Sequence, residues 1–193
     1  MTRYISYLFG VLLRLFYRTQ RAQVRRKFCR VLPLGELAVD RNEKAQSLGF
    51  GAGASIYDSA IIFGDVYVGE HSWVGPQVVL DGAAAPVCVG SWCSISAGVH
   101  VYSHDSVAWA VTGGKASYPS APVIIGDRVY VGPLTVISKG VRIGDGCVIG
   151  ANSFVMHDIP AGCAAWGNPA RITGRVLLQA NGEGYTIVPA DSQ

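Results

Sequence analysis

Val123-Ile124-Ile125-Gly126-Asp127-Arg128-Val129-Tyr130-Val131-Gly132-Pro133-Leu134-Thr135-Val136-Ile137 repeats itself every six residues. Its beat is an aliphatic residue at 125, 131 and 137, with a small or β-branched residue two positions earlier at Val123, Val129 and Thr135. The same beat continues forward through Ile143, Ile149 and Val155, and backward through Val101, Ile95, Val89, Leu80, Val74 and Val68. In a short strand, residues i and i−2 lie on one face, so each pair points the same way into a shared interior. Helical spacing of i, i+3, i+4 does not fit. The chain must turn every six residues. Gly often follows the aliphatic residue (Gly69, Gly75, Gly90, Gly126, Gly132, Gly144, Gly150), where it is expected to relax the φ restriction at a corner.

This period explains an odd composition. Of 193 residues, 50% are hydrophobic and only 15% are charged, against about 25% in ordinary soluble domains. Yet no run approaches the roughly 20 apolar residues that a spanning helix needs. The best stretch, Tyr4 to Leu13, is cut by Arg14. A multi-span membrane protein and a disordered chain are both excluded. The low charge belongs to a large repeated interior. Five cysteines, an odd number without CxxC spacing, argue against a disulfide framework or a zinc site and fit a reducing compartment. Cys93 and Cys147 fall at inward positions and read as inert packing residues.

The pattern [Ile/Leu/Val]-Gly-x-x-x-x, repeated a dozen times over residues 56–176, resembles the hexapeptide-repeat acyltransferases. The resemblance implies a left-handed parallel β-helix of three hexads per triangular coil, an all-β class here carrying an N-terminal α-helical segment and a long protruding loop. It also implies a homotrimer with sites between subunits and acetyl-CoA as co-substrate.

With three hexads per coil, positions 18 apart stack. One corner then reads Gly69, Gly90, Gly126, Gly144, Gly162; a second reads Gly75, Ser96, Gly132, Gly150; a third reads Asp81, Tyr102, Ser138, Met156. Leu80 to Val89 is three residues too long and Val101 to Ile125 is eighteen too long. Both insertions leave from the third corner in consecutive coils about 4.8 Å apart, so counting alone brings two loops together. Loops on a rigid scaffold are where chemistry concentrates, and a long one without structure of its own is uncommon unless functional.

The long loop, 102–122, opens Tyr102-Ser103-His104-Asp105 and closes Ala121-Pro122-Val123-Ile124-Ile125-Gly126. It is similar to the acceptor loop of the family, whose histidine is the catalytic base; the match falls on His104. Transfer to a hydroxyl needs such a base, because an alcohol is a weak nucleophile until its proton is accepted. Asp81 and Asp105 are rival candidates to orient His104, and either is equally well read as a turn residue. Tyr102, Trp109 and Tyr118 are candidates to stack on a sugar ring, or else to anchor the loop by burial. Lys115, after Gly113-Gly114, matches an anion-cradling run only weakly. Further on, Ile149-Gly150-Ala151-Asn152 and Gly167-Asn168-Pro169-Ala170-Arg171 resemble the family's coenzyme A groove. The resemblance places Tyr130, Gly132, Gly150, Ala151, His157 and Arg171 against the coenzyme, although Met156-His157 stands where many relatives have Thr-Lys.

His71, His100 and His104 raise a zinc-dependent, carbonic anhydrase-like hydratase as a rival function. Register opposes it: His71 is a corner residue two coils away, and His100 should point outward on a flat face. No metal ligand set is assigned. Two more rivals are an N-acetyltransferase acting on an amino sugar and a non-catalytic assembly protein. The expected acceptor is a saccharide, with a lipid-linked surface polysaccharide precursor as one form.

Outside the repeat, residues 1–30 carry eight Arg/Lys and no acid, while the other 163 residues sum to −5, which together give the net +3. Residues 1–30 read as a basic amphipathic helix, suited either to packing on protein or to lying on an anionic membrane. That is the basis for expecting a cytoplasmic protein, peripheral on the inner face of the membrane. No reader fold for nucleic acid accompanies the charge. Residues 31–55 read as an irregular lead-in. Residues 177–193 read as a hairpin and tail turning at Asn181-Gly182.

Overall fold

The computed structural model describes residues 2–190. Met1, residues 191–193 and the Thr2 and Arg3 side chains, which belong to the expected basic helix and tail, lie outside the described residues. The chain forms two compact units, residues 1–40 and 41–193. The first holds α1 (Thr2–Phe28) and α2 (Leu34–Ala38). Among the described residues, no helix is long and apolar enough to cross a membrane.

The second unit is a coil of short parallel strands with three faces. The first face stacks β1 (Ser55–Ile56), β3 (Trp73–Val74), β5 (Ser94–Ile95), β8 (Tyr130–Val131), β11 (Val148–Ile149) and β13 (Cys163–Gly167). The second stacks the start of β2 (Ile61–Val68) and of β4 (Val79–Val89) with β6 (His100–Tyr102), β9 (Val136–Ile137) and β12 (Phe154–Val155). The third stacks the ends of β2 and β4 with β7 (Val123–Ile125) and β10 (Arg142–Ile143). Pairings such as Ser55 with Trp73 and Tyr130 with Val148 carry the eighteen-residue register.

Every aliphatic residue of the beat from Val68 to Val155 is buried, and so is each residue two before it from Ser72 to Ser153. A six-residue period in which two side chains point inward fills the coil with Val and Ile and leaves no inward place for charge. Cys93 and Cys147 sit in that interior, each Sγ 3.0 Å from a carbonyl oxygen (Gly126 and Pro160). Burial pushes both thiols up. Since the thiolate is the reactive form, iodoacetamide is expected to modify exposed Cys29 in the folded protein and to reach Cys93 and Cys147 only after unfolding. Peptide mass mapping reads this, and rapid folded-state labelling of Cys93 would contradict the inward placement.

The corner glycines work differently from the sequence expectation. Gly69, Gly75, Gly90, Gly126, Gly132, Gly144 and Gly150 have ordinary φ. They are small because the next coil passes close: a Cβ on Gly132 would lie 2.5 Å from the Ala151 nitrogen. Positive φ falls three residues after nine of the twelve aliphatic residues, at His71, Gln77, Trp92, Gly98, Arg128, Leu134, Gly140, Gly146 and Asn152. The turn itself therefore tolerates large side chains in the left-handed region, and coil-to-coil contact is what requires glycine after the aliphatic residue.

Three further expectations are corrected. The class is not all-β, since two further helices stand in the second unit. The lead-in 31–55 is not irregular: besides α2 it forms α3 (Arg41–Ser47), whose Ala45, with Phe50, joins the core cluster. The open end of the first coil would otherwise expose apolar side chains. Lys44 Nζ there donates to the carbonyls of Tyr57, Asp58 and Ala60. Parallel coiling does not reach residue 176. It ends at Ala165, beyond which β14 (Ala170–Leu178) folds back antiparallel on β13 and β15 (Tyr185–Pro189) on β14. The last coil is two residues short, because Ile143 bridges to Ile159. Gly162 accordingly follows Gly146 in the column, its N–H bonded to Asp145, and does not stack on Gly144.

Candidate active site

The two insertions do meet at the third corner. The short one is not a loop: β4 runs unbroken through Gly82-Ala83-Ala84-Ala85-Pro86, its Gly82 paired with Gly64 of β2. The long one contains α4 (Val107–Val111), ended by Gly113 and Gly114 in positive φ, so this glycine pair serves as a helix stop before exposed Lys115. Its stem is tied down from both sides. His104 bridges to Ser120, the Ala121 N–H donates to Ser103 O, and the Ser103 N–H donates to Asp81 O. Ser103 is fully buried, and its Oγ accepts from the Ala85 N–H, which joins the two insertions directly.

This scaffold holds His104 with Nδ1 3.6 Å from Asp81 Oδ2. That gap is longer than a hydrogen bond, and Nδ1 is buried with no hydrogen-bond partner among the described residues. Asp81 is itself buried, with Oδ1 accepting from the Ala83 N–H. A buried ring nitrogen facing only a carboxylate favours the tautomer with the proton on Nδ1, which leaves Nε2 with its lone pair. Tyr118 meets the His104 ring edge-on at 6.4 Å and stacks on Trp109 at 5.8 Å; both aromatics are about half exposed. Tyr102 is turned elsewhere, its hydroxyl 3.0 Å from His100 Nδ1. His71 stacks on Trp92 at the first corner. The three histidines thus occupy three separate places.

Asp105 takes other partners than His104. It pairs with Lys139 on the next coil and accepts from the Val107 N–H at the start of α4. Lys139, and after it that N–H, hold the Asp105 carboxyl below its ordinary value. A carboxyl depressed in the folded state adds stability above its unfolded pKa and loses it as pH falls through the folded value. Lys139→Gln is expected to raise the Asp105 midpoint toward the ordinary range, so that the loop loosens at a higher pH than in the parent. A carbon-detected NMR titration of Asp105 measures this, and an unmoved midpoint would remove Lys139 as the cause. Ser103 and Lys139 carry no motif that singles them out in the sequence, although stacking by eighteen from the third corner aligns Gly82, Ser103 and Lys139 once the insertions are counted out.

The residues expected near coenzyme A are divided. Tyr130 lies exposed on the first face, beside a cavity of 430 Å³ that also touches Arg128, Val176 and Tyr185. Gly132, Gly150 and Ala151 lie on the second corner, with Trp166 covering Gly150 and pairing across to exposed Arg171. The Gly132 and Gly150 N–H groups are spent on Ile149 and Ala165 carbonyls. Exposed His157 stands apart, on the shortened third corner below Lys139.

Residues 122–157 match the family described as bacterial transferase hexapeptide (six repeats). The Saccharomyces cerevisiae protein YJL218W, named as an acetyltransferase, is 33% identical over 121 residues, covering 62% of this chain and 58% of that protein. The 2,3,4,5-tetrahydropyridine-2,6-dicarboxylate N-acetyltransferase of Staphylococcus aureus (strain JH9) is 46% identical over 66 residues, 34% of this chain and 28% of the enzyme. The chain thus spans less than two thirds of either relative. Among solved structures, a hexapeptide-repeat acetyltransferase from Vibrio cholerae O1 biovar eltor, complexed with acetyl coenzyme A, aligns with a TM-score of 0.60 at 25% identity, over 82% of this chain and 86% of that one. A mutant of AntD, an N-acyltransferase from Bacillus cereus, shares the fold with a TM-score of 0.60 at 23% identity, over 65% of this chain and 72% of that one. The six-residue period, the parallel coils it builds and these matches together give the second unit the fold of the hexapeptide-repeat acetyltransferases and make residues 122–157 similar to the bacterial transferase hexapeptide family.

Proposed function

We propose that this protein transfers an acetyl group from acetyl-CoA to a hydroxyl of a saccharide, with His104 as general base and Asp81 orienting it. The observation that carries the reading is the buried, unpartnered Nδ1 of His104 facing Asp81, with Trp109 and Tyr118 stacked beside the ring. Nε2 of His104 accepts the acceptor proton as the acceptor oxygen attacks the thioester carbonyl. The gap between Nδ1 and Asp81 closes to a charge-assisted bond of about 2.8 Å as the imidazolium forms. When the carbon–sulfur bond breaks, the thiolate of CoA takes the proton back from His104, and the base is restored. Flat aromatic faces suit the apolar face of a sugar ring, which supports Trp109 and Tyr118 as its platform. Asp105 contributes through Lys139, by holding the loop.

For the coenzyme, exposed Tyr130, Ala151 and Arg171 are the residues free to meet its arm and phosphates. Gly132 and Gly150 keep that edge flat but already owe their small size to coil packing. The left-handed sense of the coil, and a homotrimer with sites between subunits, belong to the same proposal and rest on the resemblance to the hexapeptide-repeat acyltransferases. A second reading, transfer to an amine, draws support from the names of the staphylococcal and Bacillus proteins. Acetyl-CoA with matched panels of sugars and amino sugars, followed by thiol release and product mass, separates the two. Acetyl esters support the hydroxyl reading, amides replace it by the second, and no thiol release with any acceptor opposes both.

A further inference from the structure

Acyl transfer at the third corner leaves α1 without a task, yet α1 is chemically the most polarised element of the chain. Its first four turns expose Tyr4, Ile5, Leu8, Phe9, Leu12, Leu13, Leu15 and Phe16. At 3.6 residues per turn these side chains cover about half the circumference of the helix. Arg14, Arg18, Arg21 and Arg25 follow at i, i+4, i+7 and i+11, a stripe on the other side. Toward the end, Arg18, Arg21, Arg25 and Arg26 line one hollow around Ala22, and the last turn adds Lys27. No acid occurs between residues 1 and 30.

Three possible occupants fit this surface unequally. A second copy of the helix would ask for a narrow seam of two positions in seven with complementary charges beside it. The apolar arc here is much wider, and the flanking charges are all of one sign. Nucleic acid would match the arginines but leave the apolar half in water. A bilayer surface matches both halves: the apolar arc enters the acyl boundary, and long arginine stems carry their charges back to the phosphates. Spanning is excluded, since ten apolar residues reach about 15 Å against a hydrocarbon core of about 30 Å.

We infer that α1 is an interfacial anchor that lies flat on a phospholipid surface bearing anionic headgroups. The anchor brings the protein to the membrane plane, where an acceptor carried on a lipid would be presented. The inference stands whether or not the acyl-transfer reading does, because its readout is binding alone.

The test is co-sedimentation of the full chain with extruded vesicles of phosphatidylcholine, or of phosphatidylcholine with phosphatidylglycerol. The full chain is expected to pellet with the anionic vesicles and far less with the neutral ones. Added salt should weaken the binding as the Debye length shortens. Replacing Arg14, Arg18, Arg21 and Arg25 together by Gln should lower the partition coefficient by roughly fivefold per arginine, the factor corresponding to about 1 kcal/mol each. Leu8→Ser with Leu12→Ser and Phe16→Ser should abolish binding while the β-coil melts as before. Equal pelleting with both vesicles, or an arginine variant that binds like the parent, overturns the inference. So does absence of vesicle binding combined with a fall in oligomeric mass in the serine variant, which would assign the apolar arc to a second copy.

Discussion

His104→Ala is expected to lower kcat for acetyl transfer by about 10²–10⁴-fold, the usual worth of a positioned general base. The fold should survive. His104 is 30% exposed through its side chain, and its stem is held by the backbone bonds of Ser103, Asp105 and Ala121, which an alanine keeps. Far-UV circular dichroism and the melting curve therefore check the variant, and thiol release from acetyl-CoA measures it. Asp81→Asn tests the second half of the pair. An amide presents an N–H to Nδ1 as readily as an oxygen and so releases the tautomer that frees Nε2; it should cost about tenfold or more with little change in KM. Should His104→Ala turn over at the parental rate, the base assignment fails. Should Asp81→Asn alone be silent, His104 needs no orienting carboxylate and Asp81 serves only to accept from the Ala83 N–H.

The largest stability effect is expected at a glycine whose φ is ordinary. A methyl group on Gly132 would meet the Ala151 nitrogen at 2.5 Å, and the Ala151 Cα and Gly150 carbonyl carbon at 2.8 Å. All three are backbone atoms of the next coil, held in register by the Gly132-to-Ile149 hydrogen bond. Relief requires prising two coils apart, so Gly132→Ala should cost about 1–3 kcal/mol or more, as overpacking does. At the size of this chain that is a fall of roughly 3–10 °C in melting temperature. Gly146→Asn is the contrast. Its φ is +65°, but nothing lies within 4 Å of the added Cβ, and Asn152 and Arg128 already adopt the same conformation in equivalent turns. Asparagine there should cost only tenths of a kcal/mol, since it visits the left-handed region with ease. If Gly146→Asn proves the more damaging, coil-to-coil contact is not why glycine follows the aliphatic residue.

The coil was legible because its interior obeys a local rule. Two inward side chains in every six residues leave their mark on the sequence without reference to anything distant, and each turn repeats the mark. The same rule exposed both insertions as departures from six, and with the three hexads per coil that the resemblance implies, counting brought Asp81 and His104 to one corner. Counting failed where the coil itself changed. Residues 156–159 shorten the last corner by two, and β14 turns antiparallel, so Gly162 and residues 166–176 fall out of the register that governs the rest. Ala45 and Phe50 carry no periodic mark. They are buried only because the first coil has an open end.

From sequence alone come the parallel coil, its inward residues, the separation of a +8 segment from a −5 body, and the meeting of the two insertions. The inward residues and the charge split follow from a fixed period and from composition; the parallel coil of three hexads, and with it the meeting of the insertions, is what the resemblance to the hexapeptide-repeat acyltransferases implies. Tertiary structure alone set Asp81 opposite His104 Nδ1 and Asp105 against Lys139. Each stands near His104 in the count, but which carboxylate lies beside the ring depends on Lys139 and the Val107 N–H having claimed the other. It also decided why glycine is required at 132: the atom that forbids a side chain there belongs to a residue nineteen positions away, brought within 2.5 Å only by the stacking of coils.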